Sequence, residues 1–290
     1  MLERLSPALF VLIWSTGWIV AKFVAVAKAD PLTFLILRYV AAGVLIAAFA
    51  LLVRAEWPAR GRDWLHAAIT GILLHALYLG GVWWPISVGL PAGLSAIIVA
   101  LQPLLTALLA WPLVGERLSP RNAAGVAIGF AGVVMVLTPR LVGIDAGTLE
   151  GLLVPIAVGL VSTLAVTLGT FYQKRFAAKG DLRTITVIQY LGALVVTLPV
   201  AWAIEPMQIP VTTTTVLVAL WSVLVLSIGA IFLMLMMIRR GAVSRVASLI
   251  YLVPPTAALQ AWLFFGETMT TVQIAGMMTA AFGVYLATRK

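Results

Sequence analysis

Ten apolar runs punctuate the chain, at residues 6–27, 32–53, 65–86, 92–113, 122–139, 149–172, 184–203, 215–238, 244–265 and 271–288. Each is close to the roughly 20 residues that an α-helix needs to cross a bilayer. None alternates with the period of two that marks a membrane β-strand. Polar residues gather in the gaps. All ten carboxylates (Glu3, Asp30, Glu56, Asp63, Glu116, Asp145, Glu150, Asp181, Glu205 and Glu267) fall in gaps or at run ends, and none is mid-span. The pattern predicts an all-α polytopic membrane protein with ten transmembrane helices. The first run follows Arg4, and Ala27-Lys28-Ala29 imitates a signal-peptide cleavage site. The run is too long for the apolar core of a signal peptide, so it reads as a retained helix.

Composition agrees. Of 290 residues, 62% are hydrophobic and 10% charged, with a mean hydropathy of +1.10. So few polar residues cannot cover a soluble globule of this size. There is no cysteine, which excludes disulfides, thiolate nucleophiles and Cys-ligated metal. The net charge of +9 is explained by where it sits. With the N-terminus inside, inner loops and tails hold 15 Lys and Arg, outer ones hold 3 (Lys22, Lys28 and Arg140), and Arg38 lies within span 2. Such a bias places both termini in the cytoplasm. The basic balance is therefore a matter of orientation, and no nucleic-acid partner is expected. Trp57, Trp64, Trp83, Trp84, Trp111, Trp202 and Trp262 fall near predicted interfaces, where amphipathic rings prefer to sit.

The chain matches itself after a shift of 151 residues. Leu101, Pro103, Trp111, Gly115, Glu116, Gly125 and Gly132 meet Leu252, Pro254, Trp262, Gly266, Glu267, Gly276 and Gly283, and Tyr39 meets Tyr190. The halves divide at 1–140 (spans 1–5) and 141–290 (spans 6–10). Five is an odd number, so the second half enters the membrane upside down. Inverted repeats supply two arrangements of similar energy, one open to each side, which is the basis of alternating access.

Each half resembles an EamA domain of the drug/metabolite transporter superfamily. The resemblance is carried by Trp14, Asp30-Pro31, Arg38, Pro103, Gly115-Glu116-Arg117 and Gly125…Gly132, recurring as Pro254, Gly266-Glu267 and Gly276…Gly283. It covers essentially the whole chain. It implies ten helices around a central cavity, export of small metabolites, and the bacterial inner membrane as location. Within the family the chain is most similar to bacterial amino-acid exporters, including the aromatic branch. The second half departs from the pattern in carrying Gln189 where the first has Arg38.

Matched helix interruptions at mid-depth point to a transporter site. Pro103 and the Pro254-Pro255 pair are such interruptions. Each proline frees a carbonyl four residues back, here those of Val99, Ile250 and Tyr251, and Gln102 stands beside the first break. His75, with Tyr78 one turn along, is an ionisable group at mid-membrane and so a functional candidate. Trp14 and Trp18 share one face of span 1 and either stack on a substrate or pack between helices. Ser162, Thr163 and Thr167 on span 6 and Ser227 on span 8 offer hydroxyls, which otherwise bond their own backbone. Lys22 and Arg38 lie in the outer third, where they snorkel to headgroups or catch a substrate carboxylate. The Gly-Glu pairs read as helix stops followed by an acid suited to the next helix N-terminus. Gly125-x-x-x-Gly129 and Gly276-x-x-x-Ala280 allow close helix approach, within a monomer or across a homodimer.

These features point to a carrier that exports amino acids, large neutral or aromatic ones foremost, by alternating access. With no acid at mid-span, carboxylate-based proton coupling is not expected. The alternative is export of other metabolites or drugs, such as organic cations or phosphorylated compounds. An intramembrane enzyme has no support: His66 and His75 form no H-E-x-x-H pair, and there is no Gly-x-Ser-x-Gly elbow. The expected partners are a small-molecule substrate and the lipid bilayer. No cofactor or metal is implied.

Overall fold

The computed structural model describes residues 2–90, 95, 98–99, 101–114, 119–141, 146–176, 180–230, 233, 253–266 and 269–288. Every regular element among them is helical: α1 (Leu2–Val26), α2 (Pro31–Leu52), α3 (Gly61–Ser87), α4 (Gln102–Val114), α5 (Pro120–Leu141), α6 (Ala146–Phe176), α7 (Leu182–Ile204), α8 (Thr213–Gly229), α9 (Val253–Phe265) and α10 (Thr271–Thr288). Five hold windows long and apolar enough to cross a membrane: Leu9–Val26, Pro31–Leu52, Gly61–Ser87, Glu150–Phe176 and Leu182–Ile204. Their outward faces are apolar. Val40, Val44 and Phe49 on α2 and Leu191, Val195 and Trp202 on α7 are all exposed. Faces of this kind suit lipid, not water.

Helix starts follow local chemistry. Pro31 opens α2, where its missing N–H costs nothing. Asp181 caps α7, its Oδ1 accepting from Arg183 N at 2.9 Å. Ser119 accepts from Asn122 N before α5, and Thr270 with Gln273 forms a reciprocal cap before α10. At the end of α9, Gly266 takes φ +62°, and its N–H bonds Trp262 O at 2.9 Å. That is the helix stop expected of the second Gly-Glu pair. Gly115, Glu116 and Glu267 lie outside the described residues.

The 151-residue shift survives into the coordinates. It carries Gln102–Val114 onto Val253–Phe265, and it brings Pro31, Asp30 and Ser119 onto Leu182, Asp181 and Thr270. It also relates two irregularities. In α3 the turns over Ile72–Leu77 widen to π geometry, and in α8 those over Trp221–Gly229 do the same. Ile72–Leu77 shifted by 151 falls inside the second segment.

Equivalent helices also pack on each other. A Cβ on Gly132 would lie 2.6 Å from Gly276 O, and one on Gly283 would lie 2.6 Å from Gly125 O. The α5–α10 crossing is thus reciprocal, antiparallel, and close enough to demand glycine at both positions. α2 and α7 pair likewise. At one end the Glu205 carboxylate, just past α7, accepts from Leu32 N at 2.9 Å, Thr33 N at 2.8 Å and Thr33 Oγ1 at 2.9 Å. At the other, Thr184 Oγ1 at the start of α7 donates to Glu56 O just past α2. The two helices therefore run antiparallel. Further contacts recur under exchange of halves: α3 meets α6 and α7 as α8 meets α1 and α2, and α1 meets α9 as α6 meets α4.

Two side chains face the interior. Trp83 is 3% exposed and packs on Phe34 in the core. Arg38 turns inward along α2, where its Nε donates to Ser227 Oγ of α8 at 2.9 Å.

Candidate functional site

The polar groups at mid-depth converge on the α2–α7 pair. Tyr39 and Tyr190, equivalent residues of the two halves, stack with centroids 5.5 Å apart and planes 20° off parallel. Both are fully enclosed, at 1% and 3% exposure. The Tyr39 hydroxyl donates to His75 O at 2.9 Å. That carbonyl lies in the π-wide turns of α3, where the usual helical ladder is re-spaced and carbonyls can take outside donors. The His75 ring lies 5.0 Å from Tyr190 and 6.0 Å from Tyr39, with Gln189 as its side-chain polar neighbour. Its Nδ1 and Gln189 Nε2 are buried without a partner. Unpaired buried groups of this kind carry a desolvation cost that a bound ligand can relieve.

On the other flank, Arg38 Nε donates to Ser227 Oγ, and Ser227 Oγ donates to Ser222 O at 3.1 Å. The five-residue return matches the π spacing of α8. Ser222 is fully buried, and its own hydroxyl has no partner. Arg38 and Gln189 are equivalent under the repeat, and so, within one residue, are His75 and Ser227. The two flanks are therefore two versions of one contact, charged on one side and neutral on the other.

The other sequence candidates divide. Ser162 is fully buried with its hydroxyl unpaired, and its Cβ is 2.6 Å from where a Cβ on Gly81 would stand. Thr163 Oγ1 lies 3.1 Å from Ile98 O and 2.9 Å from Gly159 O, so its single donor is spent on backbone carbonyls. Thr167 likewise donates to Thr163 O at 2.7 Å. Trp14 is 40% exposed and sits 5.3 Å from Phe10. Trp18 and Tyr78 pack on the edge of the main core. Gln102 is half-buried at the first position of α4, and Pro103 follows it in the first turn. Pro254 holds the same place in α9, while Tyr251 lies outside the described residues. Of the carbonyls near the first break, that of Ile98 is met by Thr163.

Helix α1 is tied to α8 and α9 by side-chain bonds. Trp221 Nε1 donates to Thr16 Oγ1 at 2.9 Å and Gln260 Nε2 to Leu12 O at 3.1 Å, leaving Gln260 Oε1 buried and unpaired. Lys22 Nζ sits 4.1 Å from the centroid of the Phe265 ring, a cation–π contact between α1 and α9. Among the described residues no cluster of His, Asp or Glu is set to hold a metal ion.

Sequence reasoning singled out His75 and Ser227. It used Tyr39 and Tyr190 only to align the halves and gave Gln189 and Ser222 no role. The available signal was the dipeptide Arg38-Tyr39 recurring as Gln189-Tyr190, a polar–aromatic pair in register at matched depth.

Comparison with known proteins agrees with this architecture. The EamA-like transporter family matches the chain twice, over residues 5–138 and 153–289. The "Uncharacterized transporter YvbV" of Bacillus subtilis is 26% identical over 98% of this chain and 90% of its own length. The "Uncharacterized inner membrane transporter YedA" of Escherichia coli is 27% identical over the same shares. The "Probable amino-acid metabolite efflux pump" of Salmonella typhimurium is 24% identical over 96% of this chain and 92% of its own. A protein of known crystal structure, 20% identical, superposes with a TM-score of 0.70 over 98% of this chain and 96% of that one, so the fold is shared.

Proposed function

Because the chain belongs to the EamA-like transporter family, and is a membrane transporter by that membership, we propose that it exports amino acids, large neutral ones foremost, by alternating access. The observation that carries the reading is the reciprocal antiparallel packing of equivalent helices, α2 on α7 and α5 on α10. A two-fold pseudo-axis lying in the membrane relates the halves in this reading. The packing supports an inverted repeat of five plus five helices with both termini cytoplasmic, and such a molecule has inward-open and outward-open forms of comparable energy.

The substrate class rests on chemistry at mid-depth. The Ser162 and Ser222 hydroxyls and the free amide atoms Gln189 Nε2 and Gln260 Oε1 offer neutral hydrogen bonds. A relative described as an amino-acid metabolite efflux pump points the same way. No acid stands at mid-span in the sequence, which favours gradient-driven movement without carboxylate proton coupling.

Counterflow in proteoliposomes tests this. Vesicles loaded with unlabelled amino acids should accumulate trace labelled tryptophan or threonine, saturably, and an imposed pH gradient should not drive uphill uptake. No accumulation of any amino acid by folded protein would transfer the reading to phosphorylated metabolites or lipophilic cations. Uphill uptake driven by pH would overturn the uncoupled mechanism.

A further inference from the structure

Arg38 is a half-buried cation whose counter-charge the described protein does not supply. It lies seven residues into α2, about 10 Å below the start of the helix at 1.5 Å per residue. Its Nε–H is spent on Ser227 Oγ, and four further N–H donors remain on the guanidinium. Among the described residues no carboxylate forms an ion pair with Arg38. The acids at the near end of α2 are engaged elsewhere. Asp30 accepts from Gln208 N, and Glu205 accepts from the first turn of α2. In the sequence every acid lies at a span end or in a loop. A charge held inside a bundle without a partner is costly, and it marks a ligand pathway more often than a scaffold.

The neighbourhood adds a second donor. Ser222 shares the π-wide face of α8 with Ser227, is fully buried, and has an unpaired hydroxyl. The wide turns of α8 let Ser227, which meets the guanidinium, reach back five residues to the Ser222 carbonyl. The matching flank at Gln189 and His75 holds equivalent positions of the other half without the fixed charge. A guanidinium fork presents parallel donors matched to the two oxygens of a carboxylate.

We propose that Arg38, Ser227 and Ser222 form a carboxylate subsite between α2 and α8, occupied by the carboxylate of the transported amino acid. The owner of that carboxylate rests on the amino-acid reading, and the subsite itself does not. The neutral flank leaves the rest of the substrate uncharged surroundings.

The test uses the full chain in detergent, with the midpoint of heat-induced loss of the monodisperse size-exclusion peak as readout. Two matched pairs serve as probes: tryptophan with tryptophanamide, and 3-phenylpropionate with its amide. In the native protein each acid should stabilise at concentrations at least ten-fold lower than its amide. Arg38→Gln should abolish that preference. Glutamine already stands at the equivalent position 189, so this side chain suits the register. Arg38→Lys should keep part of the preference, and Ser222→Ala should weaken it several-fold. Equal response to acid and amide in the native protein overturns the subsite. So does an unchanged preference in Arg38→Gln, or an Arg38-dependent response to chloride alone. If counterflow moves no amino acid while the Arg38-dependent preference for 3-phenylpropionate stands, the transport reading fails and the subsite holds.

Discussion

Glu205 shows how much one side chain does at a distance. Its carboxylate takes three donors from the first turn of a helix 172 residues away in sequence. Hydrogen bonds to a charged group are each worth about 1.5–3 kcal/mol. Glu205→Ala should lower the unfolding midpoint clearly, and Glu205→Gln, which retains one acceptor, should lower it less. Thr163→Val provides a contrasting case. It removes a donor spent on Ile98 and Gly159 carbonyls, so it should cost about 1 kcal/mol of stability while the counterflow half-saturation stays unchanged. A rise in half-saturation would assign Thr163 to the substrate. The backbone bond of Thr163 is one of the two roles its sequence context offers, whereas the reach of Glu205 is not legible from sequence. Glu205 reads as an ordinary loop acid, because nothing local signals a partner so far along the chain. For Arg38 the sequence leaves headgroup anchor and carboxylate capture side by side, because counting residues gives depth along a helix but not the direction in which the side chain turns. His75 is legible, because an ionisable group among apolar neighbours is conspicuous wherever it points.

Helices were the most legible scale. Spans 32–53 and 184–203 in the sequence lie within two residues of α2 (Pro31–Leu52) and α7 (Leu182–Ile204). Apolar length and terminal Pro or Asp suffice for that. The π-wide turns were not legible. Ile72–Leu77 and Trp221–Gly229 share no composition that separates them from an ordinary apolar helix, and only tertiary packing re-spaces their ladders. Their recurrence in both halves argues against accident. A π segment accommodates one residue more than an α turn. Deleting Leu74 should therefore let α3 close into regular α geometry, take the His75 carbonyl from Tyr39, and reduce counterflow at least ten-fold in a protein that still folds. Transport at the native rate would show that the widening is a packing accident. Glycine contacts set the other limit at this scale. Gly71 faces the Gln189 backbone and Gly192 faces that of Ala68, so α3 and α7 touch main chain to main chain. Gly192→Leu should separate them and abolish the folded peak on size exclusion, since overpacking even loosely filled sites costs about 1–3 kcal/mol.

For the molecule as a whole, orientation is the expectation that can be read most directly. The chain has no cysteine, so any introduced thiol is a unique label. With both termini inside, a cysteine in place of Lys28 or Met207 should react with an impermeant maleimide added to intact cells. One in place of Arg54 should react only after the membrane is opened. The reverse pattern would invert the topology. The pairing of α5 with α10 bears, lastly, on how the chain is made. α5 leaves the ribosome well before the helix whose backbone meets Gly132, with four further helices made in between. Until Thr271–Thr288 is threaded into the bilayer, the glycine face of α5 lacks its helical partner. The first half therefore waits for the second to be translated. A message truncated after Phe265 would yield not a weakened carrier but an unfinished one, with an unclosed seam for membrane quality control to find.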